Sequence, residues 1–207
     1  MARRYGIVLA GGRGERLGMG RPKAGVELAG STLLERAVRV LAAACDDVLV
    51  VAPSGLDLGP VTARRVADAA GHAGPVAGLV AGLEAAGDAR CALLGVDFPC
   101  VTSALVRVLL ERLEDQPALD VVAPRPRGVP QPLVSAVAAP AAPRIRAALE
   151  SGETSLRGVF GVLAVAWLDD PDIDRLPGGA EALLNVNTPA DLNAARARLE
   201  AGAGRKP

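Results

Sequence analysis

Aromatic side chains are nearly absent from this 207-residue sequence: two phenylalanines, one tyrosine and one tryptophan. That scarcity excludes the platforms on which single-stranded nucleic acids stack. Neither charge is in excess, with 23 basic against 23 acidic residues, so nothing marks a nucleic-acid partner. No apolar run approaches the ~18 residues of a membrane span. The short apolar stretch behind Arg3-Arg4 runs straight into glycines and reads as a first strand, not a secretory leader. The three cysteines, Cys45, Cys91 and Cys100, lack CxxC spacing, so reduced thiols and a cytoplasmic location are expected. Histidine is confined to His72 in the loop-like AAGHAG, which leaves no credible Ser-His-Asp or Cys-His arrangement.

Lysine is the most telling scarcity. Only Lys23 and Lys206 are lysines among the 23 basic residues. Lys206 belongs to the terminal AGAGRKP, and residues 202–207 are expected to be a disordered tail behind a single domain at 1–201. Lys23 is therefore the one lysine of the expected folded body. A compact ammonium does a different job from a planar guanidinium. Asparagine is equally sparse: Asn185, Asn187 and Asn193, two of them in LLNVNTPADL.

Half of the chain is apolar, enough for one sizeable core. Short continuous apolar runs predict strands at 5–10, 48–52, 64–67, 91–96, 121–123, 133–137 and 162–167. Helical spacing falls between them, at Leu33, Leu34, Ala37, Val38 and Leu41, and again at Val76, Leu79, Val80 and Leu83. Ser31 is the expected cap of the first of these helices, and Gly74-Pro75 opens the second. Thr102 or Ser103 caps another, to about residue 113. Short helices are predicted at 141–149 and 155–160, and Pro189 fits the first turn of a last helix capped by Thr188. The alternation predicts an α/β fold, a mainly parallel sheet with helices on both faces. Ligands of such sheets bind at the carboxyl ends of strands, where LAGG at 9–12 and Asp97 both fall.

Residues 9–23, LAGGRGERLGMGRPK, hold five glycines, three arginines and one lysine. Glycine lets backbone N–H groups close in on an anion, and Gly11, Gly12 and Gly14 would form such a cradle. Arg13, Arg16, Arg21 and Lys23 would neutralise phosphate charge. Known phosphate loops do not fit. Lys23 precedes Ala24 rather than a hydroxyl, which rules out a Walker A loop. The glycines miss GxGxxG spacing, and no acid ends the second strand to hold a ribose. Companion motifs of a kinase are missing.

These residues resemble the signature of nucleotidyltransferases with a Rossmann-like NTP-transferase fold: LAGG, then an arginine, then a lysine. Within that group the chain is most similar to the molybdenum cofactor guanylyltransferases, the MobA family. GPVAGL at 74–79 resembles the family's GPLAGL, and LLGVDFP at 93–99 its metal-binding strand end. QPLV at 131–134 occupies its mid-chain substrate segment, and NVNTPADL at 185–192 is nearly its C-terminal motif. The resemblance covers the chain apart from the tail. Two departures bear on base and acceptor. Pro22 stands where the family commonly has an acid, as in cytidylyl- and sugar-nucleotidyltransferases. Gln131-Pro132 stands where it often has His-Pro.

The resemblance implies a Rossmann-like nucleotidyltransferase fold, GTP as donor, molybdopterin or its molybdenum-loaded form as acceptor, and Mg²⁺ as cofactor. Leu9, Ala10, Gly11, Gly12, Lys23, Asp68 and Asp97 would hold the nucleotide. Lys23, Arg16 and Asp97 would be catalytic, Asp97 also binding the metal, as suits a strand-end carboxylate. Asp68 could accept hydrogen bonds from guanine or touch ribose; a solvated loop acid is its plainer reading. Asn185 and Asn187 bracket a valine, so their amides point the same way. They, with Gln131, would face the acceptor, or else form a helix entry. Arg125 and Arg127 would hold an acceptor phosphate or simply sit in a solvated loop. Transient contact with cofactor-insertion proteins or apo-molybdoenzymes is the expected protein partnership. A phosphomonoester is largely dianionic at neutral pH, its second pKa being about 6, so the acceptor needs no general base. Two rivals stay open: cytidylyl transfer to the same pterin, or transfer with another nucleotide, and a non-catalytic nucleotide-binding protein that delivers cofactor.

Overall fold

Buried backbone must pair, and the apolar runs of this chain do so as one seven-stranded sheet. The computed structural model describes residues 3–12, 22–69 and 71–203. Its elements follow as β1 (Arg4–Leu9), β2 (Glu27–Leu28), β3 (Ser31–Thr32), α1 (Leu33–Ala42), β4 (Asp47–Ala52), β5 (Arg64–Ala67), α2 (Pro75–Ala86) and β6 (Arg90–Gly95). Then come α3 (Ser103–Asp115), β7 (Val121–Pro124), β8 (Val134–Ala138), α4 (Ala142–Glu150), α5 (Leu156–Phe160), β9 (Val165–Leu168), α6 (Asp170–Ile173) and α7 (Pro189–Ala203). The predicted tail at 202–207 thus begins inside α7, and 204–207 lie outside the described residues.

The strand order is β5-β4-β1-β6-β8-β7-β9, with β2 and β3 forming a separate small hairpin. Strands β5, β4, β1 and β6 run parallel. The chain leaves β1 toward β4 and β5, then returns to place β6 on the other side of β1. That reversal is the switch point at which such sheets open a crevice for ligands. Strand β8 is antiparallel to both neighbours. The link at 125–133 cannot hold the dozen residues of a parallel crossover, so β8 must return beside β7 in the opposite sense. Apolar periodicity carries no strand direction, so this reversal was not readable from the run at 133–137.

Side chains alternate across the sheet into two apolar layers. Val8, Val50, Leu94, Val122 and Ala136 face α1, α3 and α7; Ile7, Val51, Leu93, Val121 and Val137 face α2, α4 and α5. Small residues set the spacing. Gly82 of α2 lies over Ile7, and a Cβ there would stand 2.7 Å from Ile7 Cγ2. Helix α2 therefore rides close on β1 and carries its amino end to the strand's carboxyl end.

The cap of α1 is Thr32, not Ser31. Thr32 Oγ1 accepts from Glu35 N at 3.1 Å, and Glu35 Oε2 accepts from Thr32 N at 2.7 Å. Those are the reciprocal bonds of a capping box at its normal spacing. Ser31 instead pairs with Leu28 across the hairpin.

Adding one methyl at Gly82 should push α2 off the sheet. Gly82→Ala is expected to cost about 1–3 kcal/mol, a fall in Tm of roughly 2–4 °C per kcal/mol for a chain of this size. Gly202→Ala, in α7 with nothing within 4 Å of the added Cβ, should not lower Tm. Equal melting of the two variants would show that the α2–β1 contact has slack.

Candidate active site

Strand β1 ends where its hydrogen bonds do. Leu9 C=O accepts from Val96 N at 3.2 Å, and Ala10 N–H donates to Val51 C=O at 2.9 Å. The chain then leaves the sheet as Gly11-Gly12, whose N–H groups have no acceptor among the described residues. Gly12 C=O accepts from Lys23 N at 3.1 Å, which seats Lys23 beside the strand end. Pro22, at φ −55° and ψ 143°, leads into a tight 3₁₀ turn at Lys23–Gly25. Arg16, with Arg13, Gly14 and Arg21, lies outside the described residues.

The Lys23 side chain is 9% exposed, and a buried ammonium needs partners. Its Nζ donates to Asn187 Oδ1 at 2.8 Å and lies 3.6 Å from Asp97 Oδ2. Asp97 comes from the turn after β6. Gly95 makes room for it: a Cβ on Gly95 would overlap Asp97 Oδ1. Burial pushes the Asp97 carboxyl above the ordinary aspartate range. The Lys23 charge, with contributions from the Asp97 backbone and Asn185, pulls it back down. Asn187 Nδ2 donates to Asn185 Oδ1 at 2.9 Å, and Val186 N–H donates to Asp97 C=O at 2.8 Å. The valine between the two amides is fully buried. Alternation along 185–187 thus turns both amides toward the Lys23–Asp97 pair.

These groups border a cavity of about 600 Å³ at the carboxyl edge of the sheet. Leu9, Gly11, Gly12, Lys23, Asp68, Asp97 and Asn187 line it, together with the amino end of α2. Asp68 follows β5, anchored by its N–H to Ala52 C=O at 3.3 Å. Its carboxylate lies against Gly78 of α2, where a Cβ would stand 3.3 Å from Oδ1. Burial alone holds its carboxyl above the ordinary range.

Three expected residues contribute differently. Ala10 is fully buried and spends its N–H inside the sheet. Gln131 is outside the cavity lining; its N–H donates to Pro124 C=O and its C=O accepts from Val134 N, both at 3.0 Å, so its backbone forms the turn into β8. Because β8 is antiparallel, the residue just before it, Leu133, reaches the cavity edge instead. Asn185 touches Asp97 and Asn187 but is not itself in the lining. His72 is an exposed loop residue outside the cavity lining, one position before Ala73, which is in it. Arg125 is engaged by Asp169 at 2.9 and 3.0 Å and lies over the Trp167 ring, 5.5 Å from its centre. Asp191 was overlooked, although its spacing from Thr188 is that of a capping box. Its Oδ2 accepts from both Asn187 N and Thr188 N, at 3.0 and 2.8 Å.

Residues 6–166 match the MobA-like NTP transferase domain family. The chain is 30% identical to a probable molybdenum cofactor guanylyltransferase of Pelotomaculum thermopropionicum, covering 97% of this chain and 95% of that one. It is 32% identical to the molybdenum cofactor guanylyltransferase of Pseudomonas syringae pv. syringae, with 90% of each chain covered. The fold matches the crystal structure of molybdopterin-guanine dinucleotide biosynthesis protein A from Archaeoglobus fulgidus at a TM-score of 0.81. That match has 23% identity and covers 95% of this chain and 99% of that one.

The raised Asp68 carboxyl makes a stability prediction with a definite sign. The folded chain holds this proton more tightly than the unfolded chain does. Asp68 therefore favours the fold below the ordinary aspartate value of about 3.9 and loses that contribution as pH rises through its raised value. Relative to wild type, Asp68→Asn should gain stability between pH 4 and 7, measured by urea unfolding. A variant that becomes relatively less stable over that range would mean that a donor or cation holds the carboxylate.

Proposed function

The chain belongs to the MobA-like NTP transferase domain family, and we propose that it transfers GMP from GTP to the terminal phosphate of molybdopterin, or of its molybdenum-loaded form. The observation that carries this reading is the Lys23–Asp97 pair, set beside bare Gly11-Gly12 backbone at the switch point of the sheet. Phosphoryl-type transfer asks for positioned charge more than for proton shuttling. The site offers positioned charge, and the chain's one histidine is not in its lining.

In this reading residues 1–201 act as one NTP-transferase domain. The Gly11 and Gly12 N–H groups receive phosphate oxygens, with Leu9 and Asp68 bordering the nucleoside. An oxygen of the acceptor phosphate forms the new bond to the α-phosphorus of GTP. The bond from that phosphorus to the bridging oxygen breaks, and pyrophosphate leaves with the electron pair. Lys23 neutralises charge on the transferred and departing phosphates, and Arg16 adds to it. Asn187, and behind it Asn185, face the acceptor side, with Gln131 supporting that side through the turn into β8.

Mg²⁺ fits this donor set. No three His, Cys, Asp or Glu side chains converge on one point among the described residues. Mg²⁺ is commonly held by one or two carboxylates together with substrate phosphates, so Asp97 would hold it with phosphate oxygens and water. When bound, it supplies charge compensation at the transferred phosphate. No helix among the described residues is long and apolar enough to cross a membrane. The three cysteines are free. A cytoplasmic protein is the reading we adopt, with apo-molybdoenzymes or insertion proteins as transient partners.

Pro22 directly before Lys23 favours one alternative, cytidylyl transfer to the same acceptor. Calorimetry with GTP, CTP, ATP and UTP in Mg²⁺ separates the two, followed by pyrophosphate release with molybdopterin. GTP preference with pyrophosphate release is expected. CTP preference would move the assignment to cytidylyl transfer, and binding without release would indicate a delivery protein. Lys23→Ala should lower turnover about 10²–10³-fold, as loss of one preorganised charge-stabilising donor does. Lys23→Arg should recover only part, because a planar fork cannot reproduce the ammonium contacts. Undiminished turnover in Lys23→Ala would remove Lys23 from the mechanism.

A further inference from the structure

The ammonium of Lys23 is carried on a long flexible stem, so something must fix where it sits. Its 3.6 Å approach to Asp97 is loose for a hydrogen bond, whereas the 2.8 Å bond to Asn187 Oδ1 is a normal one. Asn187 therefore holds the ammonium by a direct hydrogen bond, and the question passes to what sets Asn187. Its side-chain Nδ2 is held by Asn185 at 2.9 Å. Its backbone N–H is held by Asp191 Oδ2 at 3.0 Å.

We propose that Asp191 is a positioning residue for Lys23. It acts from the first turn of α7 by fixing the backbone of Asn187, whose amide in turn holds the ammonium beside Asp97. An ordinary capping box would need only the bond from Thr188 N to Asp191, at 2.8 Å, and the return bond from Asp191 N to Thr188 Oγ1, at 3.2 Å. The additional bond from Asn187 N reaches one residue beyond the helix cap, toward the cavity. The base from which Asp191 reaches is firm. Leu192 and Ala195 of α7 are buried in the core, as is Val186 on the other side of the cap. Val186 N–H is tied to Asp97 C=O, so the same short segment is pinned to both members of the pair. The bond from the Asn187 backbone does most to hold the Asp191 carboxyl below its ordinary range, with a smaller contribution from the Lys23 charge. Asp191 touches neither the cavity nor the reacting atoms; its effect passes through Asn187.

The proposal rests on the reading of Lys23 as the phosphate-facing charge, and its test does not need that reading to be right. Only two lysines exist, so ¹³C-lysine labelling of a Lys206→Ala protein leaves a single labelled residue, Lys23. Its side-chain resonance is compared, without any substrate, in the parent, Asp191→Ala, Asp191→Asn and Thr188→Ala. Asp191→Ala should shift the Lys23 Cε resonance toward that of a solvated lysine. Asp191→Asn, which keeps an oxygen acceptor, should stay near the parent. Thr188→Ala weakens the helix cap but keeps the Asn187–Asp191 bond, so its resonance should stay near the parent as well. Turnover should follow the same order. In Asp191→Ala, kcat should fall about 10–100-fold, the scale of a small misplacement in a preorganised site, with the nucleotide KM nearly constant. An unmoved Lys23 resonance in folded Asp191→Ala overturns the proposal. So does a shift of equal size in Thr188→Ala, because Asp191 would then be a helix cap and nothing more. A parent protein that binds but transfers no nucleotide defeats the transfer reading alone, and the resonance still decides the role of Asp191.

Discussion

A nearly buried ammonium held between a carboxylate and a side-chain amide is the contact around which this molecule is arranged. Burying one charge is costly unless partners come with it. Here the three groups come from three parts of the chain: Lys23 from the turn behind the glycine-rich segment, Asp97 from the end of β6, Asn187 from the approach to α7. None can be placed without the others. The sheet brings the first two together because β1 and β6 are parallel neighbours whose carboxyl ends meet. The core brings the third, because Val186 must be buried and its N–H reaches back to Asp97.

The packing around that contact is governed by small side chains. With few aromatics, the core is built from Val, Leu and Ala, and close approach replaces bulk as the source of contact. Gly82 lets α2 settle on Ile7, and Gly95 lets the Asp97 carboxylate fold back over its own strand end. Both concessions favour the cavity. A helix held off the sheet by one methyl would move its amino end away from Gly11-Gly12. A carboxylate pushed off Gly95 would leave the ammonium.

Much of this was legible from the residues alone. Continuous apolar runs announced the buried strands, because a strand covered on both faces has no polar positions to interrupt it. Asp97 stood out because it ends such a run, where sheets of this kind bind ligands. Alternation at 185–187 correctly gave the two amides a common direction. What those amides touch was not legible, since Asn187 and Lys23 are 164 positions apart in sequence. Strand direction was hidden for a similar reason: β8 owes its sense to the length of its link, and Leu133 just before it reaches the cavity edge. Ala10 belongs to the motif, yet its N–H completes the ladder to Val51, so the bare backbone begins one residue later. The cap at Thr32 was missed by one position although its partner Glu35 was in view. Asp191 shows the opposite failure, a spacing that was visible and went unused.

The scarcity of lysine acquires a physical meaning in this geometry. Two guanidinium groups elsewhere in the molecule spend two donors on one carboxylate. Arg125 does so with Asp169 at 2.9 and 3.0 Å, and Arg4 with Glu114 at 2.9 and 2.6 Å. That planar fork suits a single two-oxygen acceptor. The position of residue 23 differs, since its partners include an amide oxygen and a carboxylate arriving from different elements. A tetrahedral ammonium concentrates its donors on one atom and can address separate directions within a confined space. Arginine can neutralise charge almost anywhere on this chain. At the meeting of β1, β6 and α7 two partners share one compact ammonium, and there the sequence departs from its own habit.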